Sequence, residues 1–119
     1  MKVFLKTYGC QMNERDSEIV LQLLLQRGHV AAQREAEADA IIINTCSVRA
    51  KAEDKAIGKL RLLVARSPAD RLIGVMGCMV QRLGADVFNK APGVHFAVGT
   101  QAFACIPDLL ERAGPGRPP

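Results

Sequence analysis

The chain has 119 residues, 49% of them hydrophobic, enough for one domain with its own apolar core and too few for two. A net charge of +4 and a pI near 9.1 tolerate an RNA partner without demanding one. No apolar run reaches the length of a membrane span, and Met1-Lys2-Val3-Phe4-Leu5-Lys6 is too short for a secretory signal, so a cytoplasmic protein is expected.

Short apolar runs alternate with stretches of helical spacing, the pattern of an α/β domain with a mostly parallel sheet. A first strand is expected from Lys2 to Thr7, breaking at Tyr8-Gly9-Cys10. The next helix carries Ile19, Val20, Leu23 and Leu24, with Asn13 or Asp16 as its cap and Gly28 past its end. A weak strand near His29 to Ala32 and the turn Glu35-Ala36-Glu37-Ala38 follow. Ala40-Ile41-Ile42-Ile43 is the clearest strand, apolar throughout as a strand buried on both faces must be. It ends at Asn44-Thr45-Cys46-Ser47, and a helix is expected from Val48 to Ala65. Leu72-Ile73-Gly74-Val75-Met76 is another buried strand, ending at Gly77-Cys78 before a helix from Val80 to Phe88. A short strand from Val94 to Val98 leads to a last helix, Phe103 to Arg112. The Gly/Pro-rich residues 113–119 read as a linker or tail, leaving residues 1–112 as the domain.

Three of the four cysteines occupy one structural slot. Cys10, Cys46 and Cys78 each follow a strand and precede a helix, which in a parallel sheet is the carboxyl edge where ligand sites collect. Cys46 lies 36 residues after Cys10, and Cys78 lies 32 after Cys46, so only the fold can bring them together. A single three-layer domain with a doubly wound (flavodoxin-like or Rossmann-like) sheet of order 2-1-3-4-5 makes the three strands neighbours. At about 4.8 Å between strands, three ends span roughly 10 Å, which the curvature of the loops has to narrow to the footprint of a cubane cluster. The thiolate is the metal-binding form, and a helix start favours the anion. Zinc is the nearest rival, but a structural zinc site takes four ligands at short paired spacings, and no Cys-x-x-Cys occurs here. His29 and His95 fall at strand starts, the opposite edge, and are expected to be structural.

The motifs carry a resemblance. Tyr8-Gly9-Cys10-Gln11-Met12-Asn13 with Asp16-Ser17-Glu18, then Asn44-Thr45-Cys46-Ser47-Val48-Arg49 with Lys51-Ala52-Glu53, then Gly74-Val75-Met76-Gly77-Cys78, resemble in order three motifs of the radical S-adenosylmethionine methylthiotransferases. The resemblance covers essentially residues 1–112, the N-terminal domain of that family. Gln11-Met12-Asn13 and Ser47-Val48-Arg49 favour the branch acting on isopentenylated adenosine beside the tRNA anticodon; the alternatives are the threonylcarbamoyl-adenosine and ribosomal-protein branches. The resemblance implies that Cys10, Cys46 and Cys78 hold one auxiliary four-iron, four-sulfur (4Fe-4S) cluster that takes part in sulfur insertion. It also implies a full-length, monomeric enzyme with a radical domain, which carries a second such cluster and S-adenosylmethionine, and a C-terminal RNA-binding domain. The isolated chain, lacking both domains, is expected to be inactive on tRNA.

Gln11, Asn13, Asn44 and Ser47 flank the ligands and are expected to donate hydrogen bonds to the cluster, to cap the following helices, or both. Arg49 either binds an anionic substrate group or forms a surface ion pair. Lys51, Lys55 and Lys59 make a basic helical face, with Arg66 beyond, expected to be solvated rather than RNA-bound. Cys105 is expected to pack in the last helix. A nucleotide- or flavin-binding module, or an RNA-docking domain without a cluster, is the competing reading; the first loop lacks Gly-x-Gly-x-x-Gly spacing.

Overall fold

The computed structural model of the chain describes residues 2–8, 11–45, 50–67, 71–99 and 102–113, excluding the side chains of residues 11–13, 50–53 and 113. Strands β1 (Lys2–Thr7), β2 (Val30–Ala31), β3 (Ala40–Thr45), β4 (Leu72–Gly77) and β5 (Phe96–Val98) form one sheet of order β2-β1-β3-β4-β5, parallel at every pairing. The order expected from the sequence is the order found. The helices are α1 (Gln11–Gln26), α2 (Ala50–Arg66), α3 (Cys78–Leu83), α4 (Asp86–Lys90) and α5 (Ile106–Ala113), with single 3-10 turns at Glu35–Glu37 and Phe103–Cys105.

The two central strands are buried along their whole length. Because side chains alternate across a strand, each feeds two cores. Ile41, Ile43, Ile73 and Val75 pack with Ala56 and Leu60 of α2, Met79 of α3 and Val87 of α4. Ala40, Ile42, Leu72 and Met76 pack on the other face with Val20 and Leu24 of α1 and Ile106 and Leu110 of α5. The result is a three-layer, doubly wound domain. Each buried Ile, Leu or Val contributes about 1.5–3 kcal/mol, so these two strands anchor the molecule.

Four local expectations are corrected. The helix expected over Val80–Phe88 is two helices, because Gly84 at φ +57° ends α3 with its N–H on the Val80 carbonyl, 2.8 Å away. Helix α1 begins at Gln11, so Asn13 and Asp16 lie inside it and neither is its cap. Cys105 closes a 3-10 turn with its side chain exposed, so it has no packing role; Ile106, the next residue, is the buried one. Strand β5 begins at Phe96, and His95 before it extends the pairing differently: its N–H donates to the Ile73 carbonyl at 2.7 Å, and its Nδ1 accepts from the Ile73 N–H at 3.0 Å.

His29 is structural, as expected, and only 8% exposed between α1 and α5. Arg27 bridges Asp108 (2.6 Å) and Glu111 at this seam, and His29 Nε2 lies 3.8 Å from Glu111. Burial, more than the nearby Arg27, pushes the imidazole below its ordinary value, and Glu111 offsets this only in part. The unfolded chain therefore takes up the proton first. Stability is full above the ordinary histidine value of about 6.5 and declines as pH falls toward the depressed native one. The urea midpoint is expected to fall between pH 7.5 and 5.5, and less so in His29→Gln; equal slopes would remove His29 from the account.

Candidate metal centre

Register fixes the carboxyl edge of the sheet. Thr7 pairs with Asn44, Asn44 with Met76, and Thr45 with Gly77, so the ends of β1, β3 and β4 stand in one row. The Tyr8 N–H donates to the Asn44 carbonyl at 2.8 Å and carries the β1 pairing one residue further.

Polar side chains tie this row together. Asn44, fully buried, donates from Nδ2 to Ser17 Oγ at 2.8 Å. The Ser17 and Thr7 hydroxyls share a hydrogen bond of 2.7 Å. Thr45, also fully buried, donates to the Met76 carbonyl at 2.9 Å. Gly77 adopts φ 111° and ψ −165°, a region open essentially to glycine alone. A Cβ there would collide with the Thr45 carbonyl oxygen and come within 2.8 Å of Asn44 Oδ1. From its place near the end of β3, Asn44 thus bonds to α1, the helix that follows β1, and leaves no room for a side chain at Gly77, the last residue of β4.

Cys78 comes directly after Gly77 as the first residue of α3, half-buried and with a free thiol. Cys10, Cys46, Ser47 and Arg49 lie outside the described residues, and of Asn13 only the backbone, in the first turn of α1, is described. Thr7, Ser17, Thr45 and Gly77 were not singled out from the sequence. Ser17 stands in the first motif, but its partner Asn44 is 27 residues away, and only the pairing of β1 with β3 brings them together. The Gly-Cys step recurs at residues 9–10, so the need for glycine at residue 77 shows only in its backbone angles.

The hydrogen bonds described at this edge join hydroxyls, an amide and a backbone carbonyl, next to the Cys78 thiol in sequence. Sulfur with neutral hydrogen-bonding neighbours suits an iron–sulfur centre better than a hard, oxygen-seeking cation. The described residues therefore fit a thiolate-held cluster. Among the described residues, which include Cys78 alone of the three cysteines, no three His, Cys, Asp or Glu side chains gather to hold a metal ion.

Ser17→Ala is expected to cost about 1–3 kcal/mol, because it strands the buried Asn44 amide hydrogen. Ser17→Thr keeps the hydroxyl and should retain most of that stability. Urea unfolding of the two variants checks this; equal losses would show that the hydroxyl is not the group that matters.

Residues 2–99 match the model of the uncharacterized protein family UPF0004. Proteins named tRNA-2-methylthio-N(6)-dimethylallyladenosine synthase are similar over nearly the whole chain. That of Thermosipho africanus is 48% identical over 120 residues, 98% of this chain and 26% of its own length. That of Opitutus terrae is 46% identical over 112 residues, 92% of this chain and 23% of its own. That of Bartonella henselae is 40% identical over 121 residues, 98% of this chain and 26% of its own. The chain spans about a quarter of the length of these relatives. A doubly wound α/β domain with a thiol at its carboxyl edge, this chain belongs to the UPF0004 family, the methylthiotransferase N-terminal domain.

Proposed function

We propose that residues 1–112 are the cluster-binding domain of a tRNA methylthiotransferase that modifies dimethylallyl-adenosine beside the anticodon. One observation carries this reading. The three strands that end just before Cys10, Cys46 and Cys78 are consecutive neighbours, β1, β3 and β4, and Thr45 and Gly77, each followed in sequence by a cysteine, are register partners. The names of the relatives support the choice of branch.

In this reading the three cysteines hold one 4Fe-4S cluster, and Asn13, Asn44 and Ser47 steady its surroundings by hydrogen bonding. When bound, a cluster with three protein ligands supplies an iron open to a sulfur-containing ligand. The chain's own work is positioning. Asn44 links the segments that carry the cysteines, and the turn at Gly77 sets the direction in which Cys78 leaves the sheet. The full-length, monomeric, cytoplasmic enzyme would add a radical domain with its own 4Fe-4S cluster and S-adenosylmethionine, and a C-terminal RNA-binding domain. This chain alone would not modify tRNA.

Among the described residues no helix is long and apolar enough to cross a membrane. The test is Cys78→Ala in the full-length enzyme. Methylthiolated nucleoside in digested tRNA should disappear while cleavage of S-adenosylmethionine continues. Undiminished modification would overturn the reading.

A further inference from the structure

One flank of the domain, where α2 meets α3 and α4, holds a cavity of about 290 Å³. Arg61, Arg82 and Lys90 line it with a single carboxylate, Asp54, and it is backed by Ile57 and Leu83. Its volume is that of roughly ten waters at about 30 Å³ each, ample for a phosphate group and part of the attached sugar.

Two independent features mark this cavity as more than a gap between solvated side chains. The first is charge. Three cations, Arg61, Arg82 and Lys90, face one carboxylate, Asp54, around a single cavity. Arg61 donates its Nε to the Lys90 carbonyl at 2.6 Å, which holds the guanidinium at the cavity wall. Among the described residues neither Arg61 nor Lys90 forms an ion pair. The second is Gly58, in the interior of α2, where glycine is a poorer helix former than alanine. Packing does not require it, since a Cβ there would meet nothing within 4 Å. Gly58 lines the cavity, so a side chain at that position would add bulk at its wall.

We propose that this cavity binds a phosphate of the sugar–phosphate backbone of an RNA. The choice of RNA rests on the function proposed above. Arg61 presents its Nη pair to the phosphate oxygens as a planar fork, and Arg82 and Lys90 add charge. Arg82 is four residues beyond Cys78 on α3, about 6 Å along the helix. A phosphate held here belongs to a strand passing the carboxyl edge. Contacts of this kind set the register of a nucleic acid and carry no sequence information.

The test uses the 119-residue chain and a labelled anticodon stem-loop RNA, read by fluorescence anisotropy at several salt concentrations and by amide NMR shifts. Shifts should centre on Gly58, Leu83 and Lys90. Arg61→Ala with Lys90→Ala should weaken binding at least tenfold and lower the salt slope by about two. Asp54→Asn should tighten binding. Gly58→Ala should raise the melting temperature while weakening binding, a divergence that a purely structural glycine would not produce. Unchanged affinity in the folded double variant, shifts away from the cavity, or equal binding of a poly-glutamate peptide would overturn the proposal. Iron uptake by the same samples tests the cluster reading separately, so failure of one leaves the other standing.

Discussion

Gly77→Ala is expected to be the most damaging small substitution in the domain. Its φ of 111° and ψ of −165° are disfavoured for any residue with a Cβ, at about 1–3 kcal/mol of strain. The new methyl also runs into the Thr45 carbonyl oxygen, which is backbone at the centre of the sheet and cannot turn aside. Relief requires β3 and β4 to separate where both are fully buried. A loss of at least about 3 kcal/mol follows, a large share of the 5–15 kcal/mol that holds a domain together. The melting temperature should fall by more than about 10 °C. Calorimetry on the variant checks this, and a drop of only a few degrees would mean that the turn relaxes at little cost.

Asn44 should come second. Asn44→Ala removes a fully buried amide and its bond to Ser17, at an expected cost of about 1–3 kcal/mol. Asn44→Asp keeps the shape and is the sharper probe. It replaces a donor with an acceptor and, when ionised, buries a charge. The introduced carboxyl should therefore titrate above the usual carboxylate range, because burial disfavours its charged form. With a raised native value, the variant regains stability as pH falls through that value, whereas the wild type loses stability over the same acid range through His29. Urea midpoints between pH 7.5 and 5.5 should thus converge. Parallel midpoints would show that the site is less closed to water than the burial of Asn44 implies.

The sheet was legible because its physics is local. Ala40–Ile43 and Leu72–Met76 are apolar on both faces, and only a central strand covered by helices on both sides needs that pattern. Strand β2 is two exposed residues, so the signal was correspondingly faint. The division of α3 from α4 was written in Gly84 but masked by a helical spacing of apolar residues that runs across it. The strand expected from Val94 begins two residues later, yet His95 still pairs with Ile73; that its ring nitrogen stands in for a backbone acceptor shows only once Ile73 is placed beside it. Among the candidate site residues, the position of Cys78 at the edge followed from its place directly after an apolar strand, whereas the burial of Asn44 and its bond to Ser17 did not follow from the sequence. The hydroxyls of Thr7 and Ser17 did not either, because a hydrogen bond between side chains on different elements has no periodicity to announce it.

The central claim is that three loops of one sheet edge share one cluster. Anaerobic reconstitution with iron and sulfide, followed by Mössbauer spectroscopy and iron and sulfide analysis, tests it on the wild type and on Cys10→Ala, Cys46→Ala, Cys78→Ala and Cys105→Ala. The expected result is about four irons per chain in the wild type and in Cys105→Ala, with the four-iron signature lost in each of the other three. Iron uptake indifferent to Cys10, Cys46 and Cys78, or no four-iron signature in the wild type, would contradict the account.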